Sequence, residues 1–165
     1  MKKSFMLAAS IVLIFLFSYG FTNEEVGAKV GAYAPNITLT SNGKTVDIEK
    51  YRGEYVLLSL WSSYDASSRL RCNDYNAYVK SSALKGEKSI NYLSVNLDDN
   101  EKLFNEIVRL DNLNTDLQYF ARESEKSLID KFYNLNSGFN TYLINQAGKI
   151  VAINPTVDEL NLLNR

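Results

Sequence analysis

The sequence predicts an α/β domain built on a mixed central sheet. Three observations carry that expectation. A continuous apolar run, "YVLLSL" (Tyr55 to Leu60), reads as a strand buried on both faces. Strand-like runs then alternate with stretches of helical period, which is the order of an α/β fold. "NTYLIN" and "KIVAIN" finally flank "QAG" and close the chain with an antiparallel hairpin.

Each element follows in order. Residues 21–33 carry few apolar side chains and two glycines, so they read as a linker. Ile37 and Leu39 alternate with polar residues, as do Val46 and Ile48. Asn42-Gly43 between them supplies the turn of a hairpin. After the apolar strand, a helix is expected from about Ser67 to Leu84, with Leu70, Asn73, Ala77 and Leu84 as its stripe. "SINYLSVNLDD" (Ser89 to Asp99) is the next strand. Leu103, Phe104, Ile107, Val108 and Leu110 then stand at helical spacing. "DLQYFA" reads as a short strand. A capping box at Ser124 opens a helix that presents Leu128, Ile129, Phe132 and Tyr133. Residues 156–164 suit a short terminal helix.

Composition narrows the function. The 165 residues suit one domain, and a formal net charge of −1 gives no electrostatic footprint for nucleic acid. Histidine is absent, which excludes a Ser-His-Asp triad, a Cys-His pair and a histidine-ligated zinc site. Lys2 and Lys3 precede the apolar stretch Phe5 to Phe17, and Ser18 and Gly20 are small residues at cleavage spacing. Residues 1–20 therefore read as a signal peptide cut after Gly20. The alternative is a retained anchor, since apolar character through Phe21 gives about 17 residues, the lower limit for spanning a bilayer. Export follows from either reading, to the periplasm or cell envelope. Membrane attachment follows only from the second. Removing residues 1–20 leaves 16 basic against 19 acidic side chains, a net charge of −3. Cys72 is the only cysteine, so no internal disulfide can form.

Several stretches resemble the thioredoxin-like superfamily, closest to its exported TlpA/ResA-type thiol-disulfide oxidoreductases. They are "GAYAPNITL", "VDIEKYRGEYVLLSLWSS", "SINYLSVNLDD", the "YNL" helix ending, and "NTYLINQAGKIV". Together they span residues 31 to about 153. The resemblance implies a thioredoxin-like domain over residues 34–165, with a mixed central sheet flanked by helices and an N-terminal β-hairpin extension. It also implies a Cys-X-X-Cys pair after Trp61. Here "DASS" stands there, placing Asp65 and Ser68 at the two cysteine positions. The family's cis-proline position falls on Phe139, and a cis bond before a non-proline residue costs about 3 kcal/mol, so a trans bond is expected.

These departures set the site expectations. Asp65 suits a helix N-cap that accepts from the Ser68 N–H. Its rival role is to bind a cation or a basic group. Cys72, one turn deeper than Ser68, suits a small buried hydrophobe. The rival is an accessible thiol that forms mixed disulfides or dimers. Trp61, Tyr64 and Phe139 are candidates for an aromatic binding patch. Asp98 and Asp99 read as a solvated strand end that caps the next helix, in a spacing that matches no metal loop. The expectation is a redox-inactive binding or structural module with no cofactor or metal, whose partner is a peptide or an envelope protein. The alternative is an atypical thiol-disulfide oxidoreductase that uses Cys72 alone. A third reading is a membrane-tethered assembly factor.

Overall fold

The computed structural model describes residues 25–41, 44–86 and 90–164. The strands are β1 Thr38–Ser41, β2 Lys44–Asp47, β3 Val56–Trp61, β4 Asn91–Asn96, β5 Gln118–Phe120, β6 Thr141–Ile144 and β7 Ile150–Ile153. The α-helices are α1 Ala66–Lys85, α2 Glu101–Leu110, α3 Glu123–Tyr133 and α4 Val157–Asn161. Five strands form one sheet in the order β5-β4-β3-β6-β7. β3, β4 and β5 run parallel, and β6 and β7 are antiparallel additions. This is the mixed sheet that the sequence predicts. β1 and β2 pair separately as the N-terminal hairpin, with Ser41 opposite Lys44. The expected Asn42-Gly43 turn and the segment of residues 1–20 lie outside the described residues.

β3 is buried along its whole length because both faces of the sheet are covered. Its pleat divides the core. Val56, Leu58 and Leu60 meet Leu93, Val95, Tyr142 and Ile144 on one face. Leu57 and Trp61 point to the other, toward α1 and α2. Each fully buried leucine contributes about 2 kcal/mol of hydrophobic transfer free energy. The hairpin buries Leu39 and Val46, with Ile48 just after it, against the first face. A carboxylate also pins it: Glu125 accepts from Thr40 N at 2.8 Å and from Arg122 N at 2.7 Å.

Two helix faces differ from expectation. On α1, Leu70 and Leu84 are 64% and 84% exposed, whereas Cys72, Tyr75 and Tyr78 face the core with Ser68, Asn76 and Ser82. The buried face is half polar, which hides it from an apolar count. Its polar atoms find partners instead: Tyr75 Oη donates to Pro155 O at 2.8 Å, and Asn76 Oδ1 accepts from Asn114 N at 2.9 Å. On α3, Ile129 and Tyr133 are buried, while Leu128 and Phe132 remain exposed. The cap there is Arg122 with Glu125, not Ser124.

The segment read as a linker is part of the sheet's edge from Glu25 onward. Gly31 N donates to Ile150 O at 2.8 Å, Ile150 N to Ala32 O at 2.9 Å, and Ala34 N to Gly148 O at 2.9 Å. Ala32 is buried, and Tyr33 lies beneath Arg52 and Lys149, whose charged groups stand 5.6 and 4.8 Å from its ring centre. Backbone pairing supplies what the apolar content does not announce.

Candidate functional site

Parallel strands β3, β4 and β5 end on the same side of the sheet, and the helices that follow them begin there. Between β3 and α1 the chain makes a tight elbow, Ser62 to Asp65. Asp98, just beyond β4, holds it. Ser62 Oγ donates to Asp98 Oδ1 at 2.6 Å. Ser63 N donates to Oδ1 at 2.9 Å and to Oδ2 at 3.2 Å, and Asn96 Nδ2 donates to Oδ2 at 3.0 Å. Asp98 is only 2% exposed, which corrects the expectation of a solvated strand end. Its charge is tolerated because N–H and O–H donors surround both oxygens. Asp99 does reach solvent and pairs with Lys126 at 2.7 Å, which lowers its pKa. The cap of α2 is Asn100, which accepts from Lys102 N and Leu103 N. The sequence signal for this arrangement was Asn96 two residues before Asp98, since Asn96 Oδ1 accepts from Asp98 N at 3.1 Å and turns its amide toward the carboxylate.

Asp65 and Ser68 together form the helix cap of α1. Asp65 Oδ1 accepts from Ser68 N at 2.7 Å. Ser68 Oγ donates to Asp65 O at 3.1 Å and accepts from Ser62 N at 3.3 Å, which ties the cap back to the elbow. Hydrogen bonds from Ser68 lower the Asp65 pKa, against a smaller opposing effect of burial and with help from Arg71. A carboxylate therefore sits at the positive end of the helix dipole.

Cys72 is fully buried beneath α1, in a cluster with Trp61, Phe104, Ile107, Val108 and Leu113. Its Sγ lies 3.3 Å from Ser94 Oγ and 3.9 Å from Gln118 Oε1, and Tyr92 Oη donates to it at 3.6 Å. Burial pushes the thiol pKa up, only partly offset by the bonds to Ser94 and Tyr92. Desolvation thus disfavours the thiolate form of this group.

The peptide bond before Phe139 is trans, as is every peptide bond among the described residues. The loop is fastened at two points. Phe139 O accepts from Arg71 Nη2 at 2.5 Å, and Asn140 O accepts from Leu60 N at 3.0 Å. The proposed aromatic patch does not assemble. Trp61 is wholly buried and packs on Phe104, with ring centres 6.1 Å apart. Phe139 is half-buried against the core of the opposite sheet face. Tyr64, at the elbow, is 78% exposed. Trp61 ends a strand whose pleat turns it inward, which the run of apolar residues could not reveal.

No protein-family model and no curated protein matches the chain. Solved structures do. The thioredoxin domain of a thiol-disulfide oxidoreductase from Bacteroides vulgatus is 22% identical, with a TM-score of 0.67 over 82% of this chain and 95% of that one. A thiol:disulfide interchange protein from Bacteroides sp. is also 22% identical, with a TM-score of 0.66 over 82% and 88%. A thioredoxin-like protein from Parabacteroides distasonis is 30% identical, with a TM-score of 0.70 over 84% of this chain and 96% of that one. The strand order, the elbow at the start of α1 and this likeness over nearly the whole of a solved relative agree, and the chain belongs to the thioredoxin-like proteins.

Proposed function

We propose that this is an exported thioredoxin-like module that no longer exchanges disulfides and works by binding, with a peptide or an envelope protein as its partner. The observation that carries the reading is the state of its single cysteine. Exchange needs a thiolate at the helix start and a second thiol to resolve the mixed disulfide. Cys72 is sealed in the core, and Asp65 occupies the helix start as a cap. The dipole acts mainly within the first turn, so it does not activate a thiol at the depth of Cys72. Lys2, Lys3 and the apolar stretch Phe5 to Phe17 support export. The exposed elbow around Tyr64, beside the fastened Phe139–Asn140 loop, is the surface offered to a partner.

The test is insulin reduction with dithiothreitol, together with thiol titration by a chromogenic disulfide. No acceleration over dithiothreitol alone is expected, and the thiol should titrate only after denaturation. Insulin reduction that disappears in Cys72→Ser would establish the oxidoreductase alternative instead. Sequencing the N-terminus of the secreted chain tests export separately, with Phe21 as the expected first residue.

A further inference from the structure

Two arginines lie two residues apart near the start of α1, and the fold treats them differently. Arg69 closes a fork on Asp111, with Nε to Oδ2 at 2.7 Å and Nη2 to Oδ1 at 2.6 Å. Arg71 has no such partner. Its Nη2 donates to Phe139 O, its Nε–H is buried and meets no acceptor, and no carboxylate among the described residues forms an ion pair with it. A buried donor without an acceptor costs free energy. An unpartnered group of this kind in a native fold asks for an explanation.

Arg71 lines a cleft of about 260 Å³ between α1 and the turn from β7 into α4. Asp74, Tyr75, Asn154, Pro155, Thr156 and Val157 complete its walls. Most polar groups there are already engaged. Tyr75 Oη donates to Pro155 O, Asn154 Oδ1 accepts from Thr141 N, and Asn154 Nδ2 donates to Asn140 Oδ1. Thr156 N donates to Glu159. What remains unmatched is the Nε–H of Arg71 and, at the rim, the exposed Asp74. The volume lies below the usual range for a drug-sized ligand or cofactor, and it suits one small planar group on a short stem. Asp74 disfavours a polyanion such as a phosphate chain by like-charge repulsion. A single carboxylate supplies the acceptor that the Arg71 Nε–H lacks, in the planar geometry a guanidinium recognises.

We propose that this cleft anchors the carboxylate of a peptide, either its C-terminus or an acidic side chain, while the rest of the peptide runs past Phe139 toward the elbow. The inference rests on the reading of the domain as a binding module and names the chemistry of its partner.

The experiment follows the Arg71 Nε–Hε resonance of the ¹⁵N-labelled protein during titration. The probes are N-acetyl-trialanine with a free C-terminus, its C-terminal amide, and the amidated N-acetyl peptide Ala-Glu-Ala. At least one carboxylate probe should shift this resonance saturably, together with the backbone amides of Asp74, Tyr75 and Thr156. The fully amidated trialanine should bind at least tenfold more weakly. Whichever carboxylate probe binds identifies the source of the group. Arg71→Gln should weaken binding at least tenfold, and Arg71→Lys should retain part of it. The wild-type titration decides the matter even if a variant misfolds. A resonance unmoved by both carboxylate probes, or equal binding of the trialanine amide, overturns the pocket. Shifts confined to Tyr64 and Ser67 would overturn it while leaving the binding-module reading intact. Cys72-dependent insulin reduction would sink that reading without touching the pocket result.

Discussion

Replacing Asp98 by asparagine tests whether the buried carboxylate holds the elbow. The substitution is nearly isosteric, so it leaves no cavity. It removes the charge and converts one acceptor oxygen into a donor. In the native structure Oδ1 accepts from Ser62 Oγ and Ser63 N, and Oδ2 accepts from Ser63 N and Asn96 Nδ2. The amide oxygen of the new side chain can keep the first pair. Its amide nitrogen must then face the Asn96 nitrogen, donor to donor. Asn96 cannot simply turn over, because its Oδ1 accepts from the backbone of residue 98. Losing charge assistance in two bonds and stranding one buried donor together cost roughly 3 kcal/mol. For a domain of this size that lowers Tm by roughly 10 °C. Urea unfolding followed by circular dichroism measures the loss, and hydrogen exchange at Ser63 N should speed up at least as much as global unfolding requires. A variant within about 0.5 kcal/mol of wild type, the ordinary range for a surface substitution, would refute the argument that these bonds fix the elbow.

Asp65→Ala should cost about 1 kcal/mol through loss of the cap on α1. The folded pKa of Asp65 is depressed, so its contribution is complete above the unfolded value near 3.9 and disappears as pH falls through the folded value. Wild type should therefore lose more stability than Asp65→Ala between pH 6 and acid pH, measured by urea midpoints. Asp65→Cys with Ser68→Cys restores the spacing of a redox pair at the helix start. Mass spectrometry after air oxidation should show that pair closed and Cys72 still a thiol. Glu125→Ala frees the hairpin from α3 and should cost about 2 kcal/mol, with faster exchange at Thr40 N as its local signature. Gly148→Ala is expected to destabilise by about 1 kcal/mol in urea unfolding, because residue 148 has φ +80°, a conformation that strains any L side chain.

The sheet was legible because its strands are long apolar or alternating runs, and burial on both faces leaves little choice of residue. The elbow's shape and the Asp65 cap were legible because a cap is a local event, fixed by residues three apart. What remained hidden was everything set by direction across the sheet. Trp61 turns inward on the pleat, so the aromatic patch dissolved. Asp98 is buried because Ser62 and Ser63, more than thirty residues earlier, bring their donors to it. The buried face of α1 is written in tyrosine, serine and asparagine, whose burial depends on partners such as Pro155 O and Asn114 N that no local pattern announces. Residues 25–33, within the stretch 21–33, looked like a linker because backbone pairing leaves no mark on composition.

That pairing also sets the polarity of the molecule. Gly31, Ala32 and Ala34 join the sheet beside the β6–β7 turn, at the end where β3 begins, whereas the elbow lies where β3 finishes. Six residues of strand separate the two ends by roughly 15–20 Å. The leading chain thus enters at one pole, and the elbow, the Phe139–Asn140 loop and the Arg71 cleft gather toward the other. A tether attached at the Glu25 end would hold the domain at the pole opposite the elbow.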